Sequence, residues 1–131
     1  MFDQQNYERS KVWKLSMRML ERVYRQTRLF PPEEKSVMGM TLRKAAATIS
    51  SSIAEAIQTP DPEGAKGCYR AAFKALRDLD THLVLCKRLH LIRPWEQRSM
   101  RKRYRLIDRL LQEEIQPDIA EDDEVILAEA A

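Results

Sequence analysis

Met38-Gly39-Met40-Thr41-Leu42-Arg43-Lys44-Ala45-Ala46-Ala47-Thr48-Ile49-Ser50-Ser51-Ser52-Ile53-Ala54-Glu55-Ala56-Ile57 carries its apolar stripe at Met38, Leu42, Ala45, Ile49, Ile53 and Ile57. Steps of three and four put these six side chains on one face of a helix, and no alternation of period two competes with that reading. Upstream, Pro32-Glu33-Glu34 is a helix start: the missing proline amide costs nothing in the first turn, and the helix dipole favours acids there. Downstream, Thr59-Pro60-Asp61-Pro62 is a stop, with Asp61 placed to cap the next helix.

The same reading extends to both sides. A first helix is expected from about Glu8 to Leu29, closed by Phe30-Pro31-Pro32, with Val12, Leu15, Met19, Val23 and Thr27 inward. A third runs from about Pro62 to His90 and buries Ala65, Tyr69, Ala72, Leu76, Leu79, Leu83 and Cys86, with Phe73 flanking. A fourth spans about Pro94 to Ile115 along Met100, Tyr104, Ile107, Leu111 and Ile115, and Pro117 ends it. Four amphipathic helices with short connections predict an all-α, antiparallel up-down-up-down four-helix bundle.

Composition agrees. The 131 residues, 44% hydrophobic, suffice for one domain, and three glycines are too few for a glycine-rich nucleotide fold or a many-cornered β fold. No run approaches the ~18 apolar residues that span a bilayer, and Met1–Asn6 has no basic region before an apolar stretch, so a soluble, cytoplasmic protein is expected. The net charge of +3 is unevenly spread: residues 1–115 hold 23 basic against 14 acidic residues, whereas residues 116–131 hold six acids and no base. The expected organisation is a bundle over residues 1–116 and an acidic, flexible tail over 117–131, whose apolar insert Val125-Ile126-Leu127 could dock on a groove.

Enzymatic constellations are scarce. Asp78, His82 and Cys86 align on one helix face, but an unbroken face offers neither cleft nor oxyanion donors; the expected role is a half-buried histidine held by Asp78. Neither His82 nor His90 follows a glutamate by three residues, so no bundle di-metal site, and no cofactor, is expected. Ser50, Ser51 and Ser52 read as small residues for close packing with hydroxyls bonded to the preceding turn. Cys68 and Cys86 lie about 27 Å apart along one helix and read as buried thiols.

The cations carry more information. Lys11, Lys14, Arg18, Arg22, Arg25 and Arg28 fall within about 120° of the first helix; Lys66, Arg70, Lys74 and Arg77 within about 80° of the third; and Arg98, Arg101, Lys102, Arg105 and Arg109 within about 100° of the fourth. Ten of these fifteen are arginine, whose planar fork grips phosphate at two points, so the stripes are the expected contact for RNA or DNA backbone. A protein partner with an acidic face is the alternative, and base-specific readout is not expected, since few aromatics are free to stack. Trp13, Trp95, Tyr24 and Tyr69 exceed what a thin seam needs and point to self-association; capping of the bundle ends by the two tryptophans is the competing reading.

The segment Leu42–Ala56 resembles a motif of the bacterial four-helix-bundle proteins associated with intervening sequences of large-subunit ribosomal RNA genes. Lys11-Val12-Trp13, Phe30-Pro31-Pro32-Glu33-Glu34 and Leu76-Arg77-Asp78-Leu79-Asp80-Thr81-His82-Leu83 resemble further motifs of that family in the same order, over roughly residues 9–115. The chain departs at Ser51, Ser52 and Ala56, where proline, asparagine and glycine are usual, so a straighter, longer second helix is expected. The resemblance implies a homopentameric ring without enzymatic activity. Through the similar accessory variability determinant of diversity-generating retroelements, it also implies binding to nucleic acid and to a reverse transcriptase.

Overall fold

The computed structural model describes residues 6–116, and among them the secondary structure is helical throughout, with no strand. Helix α1 spans Lys11–Thr27, α2 Met40–Gln58, α3 Pro62–Arg88 and α4 Pro94–Ile115. Each packs against its two neighbours in the ring α1-α2-α3-α4, the closest association being α2 with α3, which gives the antiparallel up-down-up-down bundle. The α1–α2 and α3–α4 connections lie at one end, hereafter the two-loop end. Residues 117–131 and Met1–Gln5, on which the tail and leader expectations fall, lie outside the described residues.

The helix boundaries have local causes. A 3₁₀ turn, Tyr7–Arg9, precedes α1, which starts later than Glu8 because the Ser10 hydroxyl caps it by accepting from the Trp13 amide at 3.2 Å. Asp61 caps α3, accepting from the Gly64 amide at 2.9 Å, as its position before Pro62 predicts. Helix α3 stops at Arg88, short of the expected His90, in a left-handed closure: His90 has φ 62°, its amide donates to Lys87 O, and the Leu91 amide donates to Cys86 O. The helical course that begins at Pro32–Glu34 is not straight. A π turn over Lys35–Gly39 separates it from α2, so the distortion sits some thirteen residues upstream of Ser52.

The core joins Val12, Met19 and Val23 of α1, Leu42, Ala46, Ile49 and Ile53 of α2, Ala72, Leu76, Leu79 and Leu83 of α3, and Met100, Ile107 and Leu111 of α4. Phe30 and Ile92 seal the two-loop end. Met38, Ala45, Ile57, Leu15, Ala65, Tyr69 and Tyr104, expected inside, are half-buried at the seams, and Ala46 and Ala56 take the deeper places on α2. Small side chains there allow α2 and α3 to approach closely.

Of the three serines, only Ser51 bonds back to the preceding turn, donating to Thr48 O. Ser50 is buried and meets Ser16 of α1 at 2.9 Å; because the Ser16 hydroxyl donates to Trp13 O at 2.6 Å, the shared proton belongs to Ser50. Burial pushes the Cys86 thiol up to about 11, with Glu34 adding to the shift, while Cys68 is only half-buried. No helix among the described residues is long and apolar enough to cross a membrane.

Candidate nucleic-acid interface

Twelve of the fifteen stripe cations are exposed: Lys11, Lys14, Arg18, Arg25 and Arg28 on α1, Arg70, Lys74 and Arg77 on α3, and Arg98, Lys102, Arg105 and Arg109 on α4. The remainder are committed to carboxylates. Arg22 forms a two-point bond with Glu96 of α4, Nε to Oε2 at 3.0 Å and Nη2 to Oε1 at 2.9 Å, and Nη2 also donates to Ser99. Arg101 grips Asp80 of α3 in the same way, at 3.2 and 3.0 Å. That bond holds the Arg101 guanidinium firmly charged, its pKa raised chiefly by the hydrogen bond to Asp80.

These two arginines are therefore interhelical pins instead of ligand-facing cations, a correction to their place in the stripes. Lys66 approaches Glu63 at 3.8 Å and Arg109 approaches Glu113 at 3.7 Å, looser pairs along their own helices.

The pins fix where the other cations stand. Arg101 sets α4 against α3, and by helical phase Arg70 and Arg77 of α3 and Lys102 and Arg105 of α4 lie on the outer side of that seam. Arg77 lies over the Phe73 ring at 4.7 Å, which holds its guanidinium flat against the surface. Beneath them Tyr104 has a raised pKa, from burial first and then from Asp108 and Asp80, opposed by Arg77 and Arg101. None of Arg70, Lys74, Arg98, Lys102 or Arg105 makes an ion pair within the described residues.

Helix α1 is divided into three sectors. Its core side faces inward, its cations flank the α4 seam, and a third strip of about 60° carries Trp13, Met17, Leu20 and Tyr24 at steps of four, three and four. Trp13, Met17 and Leu20 line an open groove of about 610 Å³ whose other wall is Ala47, Ser51 and Ala54 of α2. Tyr7 closes it, its ring edge-on to Trp13 at 5.2 Å. Trp13 is thus part of a groove, whereas Trp95 does stand at a bundle end, 58% exposed.

The two-loop end differs from the rest of the surface. Among the described residues eight large hydrophobic side chains are exposed, and all but Leu106 are there: Tyr24 and Leu29 in and after the last turn of α1, Val37 and Met40 before and at the start of α2, Leu85 and Leu89 closing α3, and Trp95 opening α4. Guanidinium groups cover two of its aromatics, Arg43 over Tyr24 at 4.3 Å and Arg93 over Trp95 at 5.5 Å. A cleft of about 460 Å³ opens between Leu29 and the turn His90–Pro94.

The expected Asp78–His82 contact takes another form: His82 Nδ1 bonds the Asp78 backbone carbonyl at 2.7 Å, which leaves the carboxylate out of it. Among the described residues no group of His, Cys, Asp and Glu side chains could hold a metal ion.

The family described as 23S rRNA-intervening sequence protein matches residues 8–113 of the chain. A crystal structure of a protein with unknown function, from the S23 ribosomal protein family of Bacteroides thetaiotaomicron VPI-5482, shares the fold with a TM-score of 0.74 and 22% identity. The match covers 80% of this chain and 98% of that one. No functionally curated protein matches the chain.

Proposed function

The chain belongs to the 23S rRNA-intervening sequence protein family, and on that premise we propose that it is a non-enzymatic, self-associating bundle that binds RNA or DNA backbone without sequence preference, as an accessory to a nucleic-acid-processing enzyme such as a reverse transcriptase. The observation that carries the reading is the α3–α4 face, where Arg70, Arg77, Arg98, Lys102 and Arg105 are exposed and the adjacent carboxylate Asp80 is consumed by Arg101. Where a carboxylate at the seam is spent on an internal bond, the cations around it are left to meet an anion, and arginine favours phosphate. Self-association is assigned to the α1–α2 groove: a different surface of a second copy would fill it, a head-to-tail contact that can close into a ring and leaves the cationic sector of α1 open. A homopentamer is the assembly this reading adopts.

The test is fluorescence anisotropy with labelled single-stranded RNA and duplex DNA of mixed sequence. Binding at low salt that weakens linearly in log-log form as salt rises is the expected result. Absence of binding at low salt, or affinity indifferent to salt, overturns the reading. Capture of an acidic protein with no response to either nucleic acid would replace it with a protein scaffold.

A further inference from the structure

We infer that the two-loop end of the bundle is a docking site for residues 121–128 of a second copy of this chain. The surface is apolar at its centre, where Leu29, Leu89 and Trp95 are 77%, 60% and 58% exposed, and cationic at its margin, where Arg25, Arg28, Arg88 and Arg93 are exposed. The acids at this end do not balance it, because Glu96 is bound to Arg22 and Glu21, Glu33 and Glu34 are outnumbered by the four arginines together with Lys35 and Lys87. The chemistry that fits is a run of carboxylates leading directly into aliphatic side chains.

One segment of the sequence has that order: Glu121-Asp122-Asp123-Glu124 followed by Val125-Ile126-Leu127-Ala128, within a stretch that holds no base. The aliphatic side chains would enter the cleft between Leu29 and the His90–Pro94 turn while the four carboxylates meet the arginine margin.

Length decides which copy supplies it. Helix α4 begins at the two-loop end and carries the chain away over the 22 residues Pro94–Ile115, about 33 Å at the helical rise. Val125 lies ten residues beyond Ile115, a span of at most about 36 Å when fully extended. Val125 would thus reach its own two-loop end only with the intervening chain pulled taut and no slack for the turn back, a constraint a neighbouring copy does not impose. The site lies away from the α3–α4 cations that carry the function proposed above and shares only Arg25 and Arg28 with the α1 stripe, so the two readings are tested separately.

The test places a photo-crosslinking p-benzoyl-phenylalanine at Trp95 in the full chain, and at Leu29 in a second protein, each uniformly ¹⁵N-labelled and mixed with unlabelled chain before irradiation. The expected product joins the labelled two-loop end to an unlabelled peptide from residues 117–131. The full-length triple variant Val125→Asp, Ile126→Asp, Leu127→Asp should lower its yield at least tenfold with the helical circular dichroism unchanged. Products confined to one isotopic species, products mapping to other surfaces, no product from either position, or a yield untouched by the triple variant would each overturn the inference. Salt-dependent anisotropy, run on the same samples, reports the nucleic-acid reading independently.

Discussion

Arg22 and Arg101 show how much one residue's meaning depends on what lies across from it. Both have the spacing of stripe cations, yet Arg22 finds Glu96 across 74 positions of sequence and Arg101 finds Asp80 across 21. No periodicity along a single helix reports such partners, because they depend on the rotational phase of two helices at once. Glu96→Gln strips the charge from a two-point bond whose partners are both more than three-quarters buried, and should lower unfolding stability by about 1 to 2 kcal/mol. A shifted urea midpoint with unchanged slope checks this, and nucleic-acid affinity should move less than twofold.

The thiols give a second test at this scale. Cys86, fully buried and displaced upward to about 11, should resist iodoacetamide at pH 8 while Cys68 reacts, as peptide mapping would report. Because burial favours the neutral thiol, its contribution to stability is complete below the ordinary thiol pKa and is lost as pH climbs through about 11.

At the level of the element, starts and stops marked by proline and Asp61 were legible, and so was every core stripe to within a turn. Two features were not. The π turn over Lys35–Gly39 inserts a wide turn between two stretches of ordinary helix, and nothing in the apolar spacing from Met38 onward registers it. The end of α3 is set by a histidine in a conformation that glycine occupies at no steric cost, so the usual glycine signal was missing.

That mismatch predicts His90→Gly to stabilise the bundle by about 1 kcal/mol, read as a raised thermal midpoint. Gly67, in the interior of α3 with no atom within 4 Å of an added Cβ and no positive φ, predicts the converse exchange: Gly67→Ala should raise stability by about 1 kcal/mol. The strip Trp13, Met17, Leu20, Tyr24 was legible only as a surplus of aromatics; its assignment to a groove needed the α2 wall beside it.

For the molecule as a whole, the separation of charge was visible in the sequence, but which cations remain available was not. The structure reduces fifteen to twelve exposed, and gathers Arg70 and Arg77 of α3 with Lys102 and Arg105 of α4 beside a common seam. Replacing Arg98, Lys102 and Arg105 together by glutamine should reduce the salt slope on duplex DNA by roughly 3 units, about one for each phosphate contact removed, with the thermal midpoint unchanged. Including Arg101 in that set would confound the measurement, since its loss frees Asp80 at a helix seam.

The two pins on α4 have opposite polarity: it offers a carboxylate, Glu96, to α1 and a guanidinium, Arg101, to α3. Four antiparallel rods of this length can be arranged clockwise or anticlockwise with equal hydrophobic contact. In the mirror arrangement each helix would present its opposite flank to each neighbour, turning Arg22 of α1 and Asp80 of α3 toward α2 and away from Glu96 and Arg101 of α4. Both attractions would be lost, so the handedness of the bundle is written into two ion pairs that the core alone leaves undetermined.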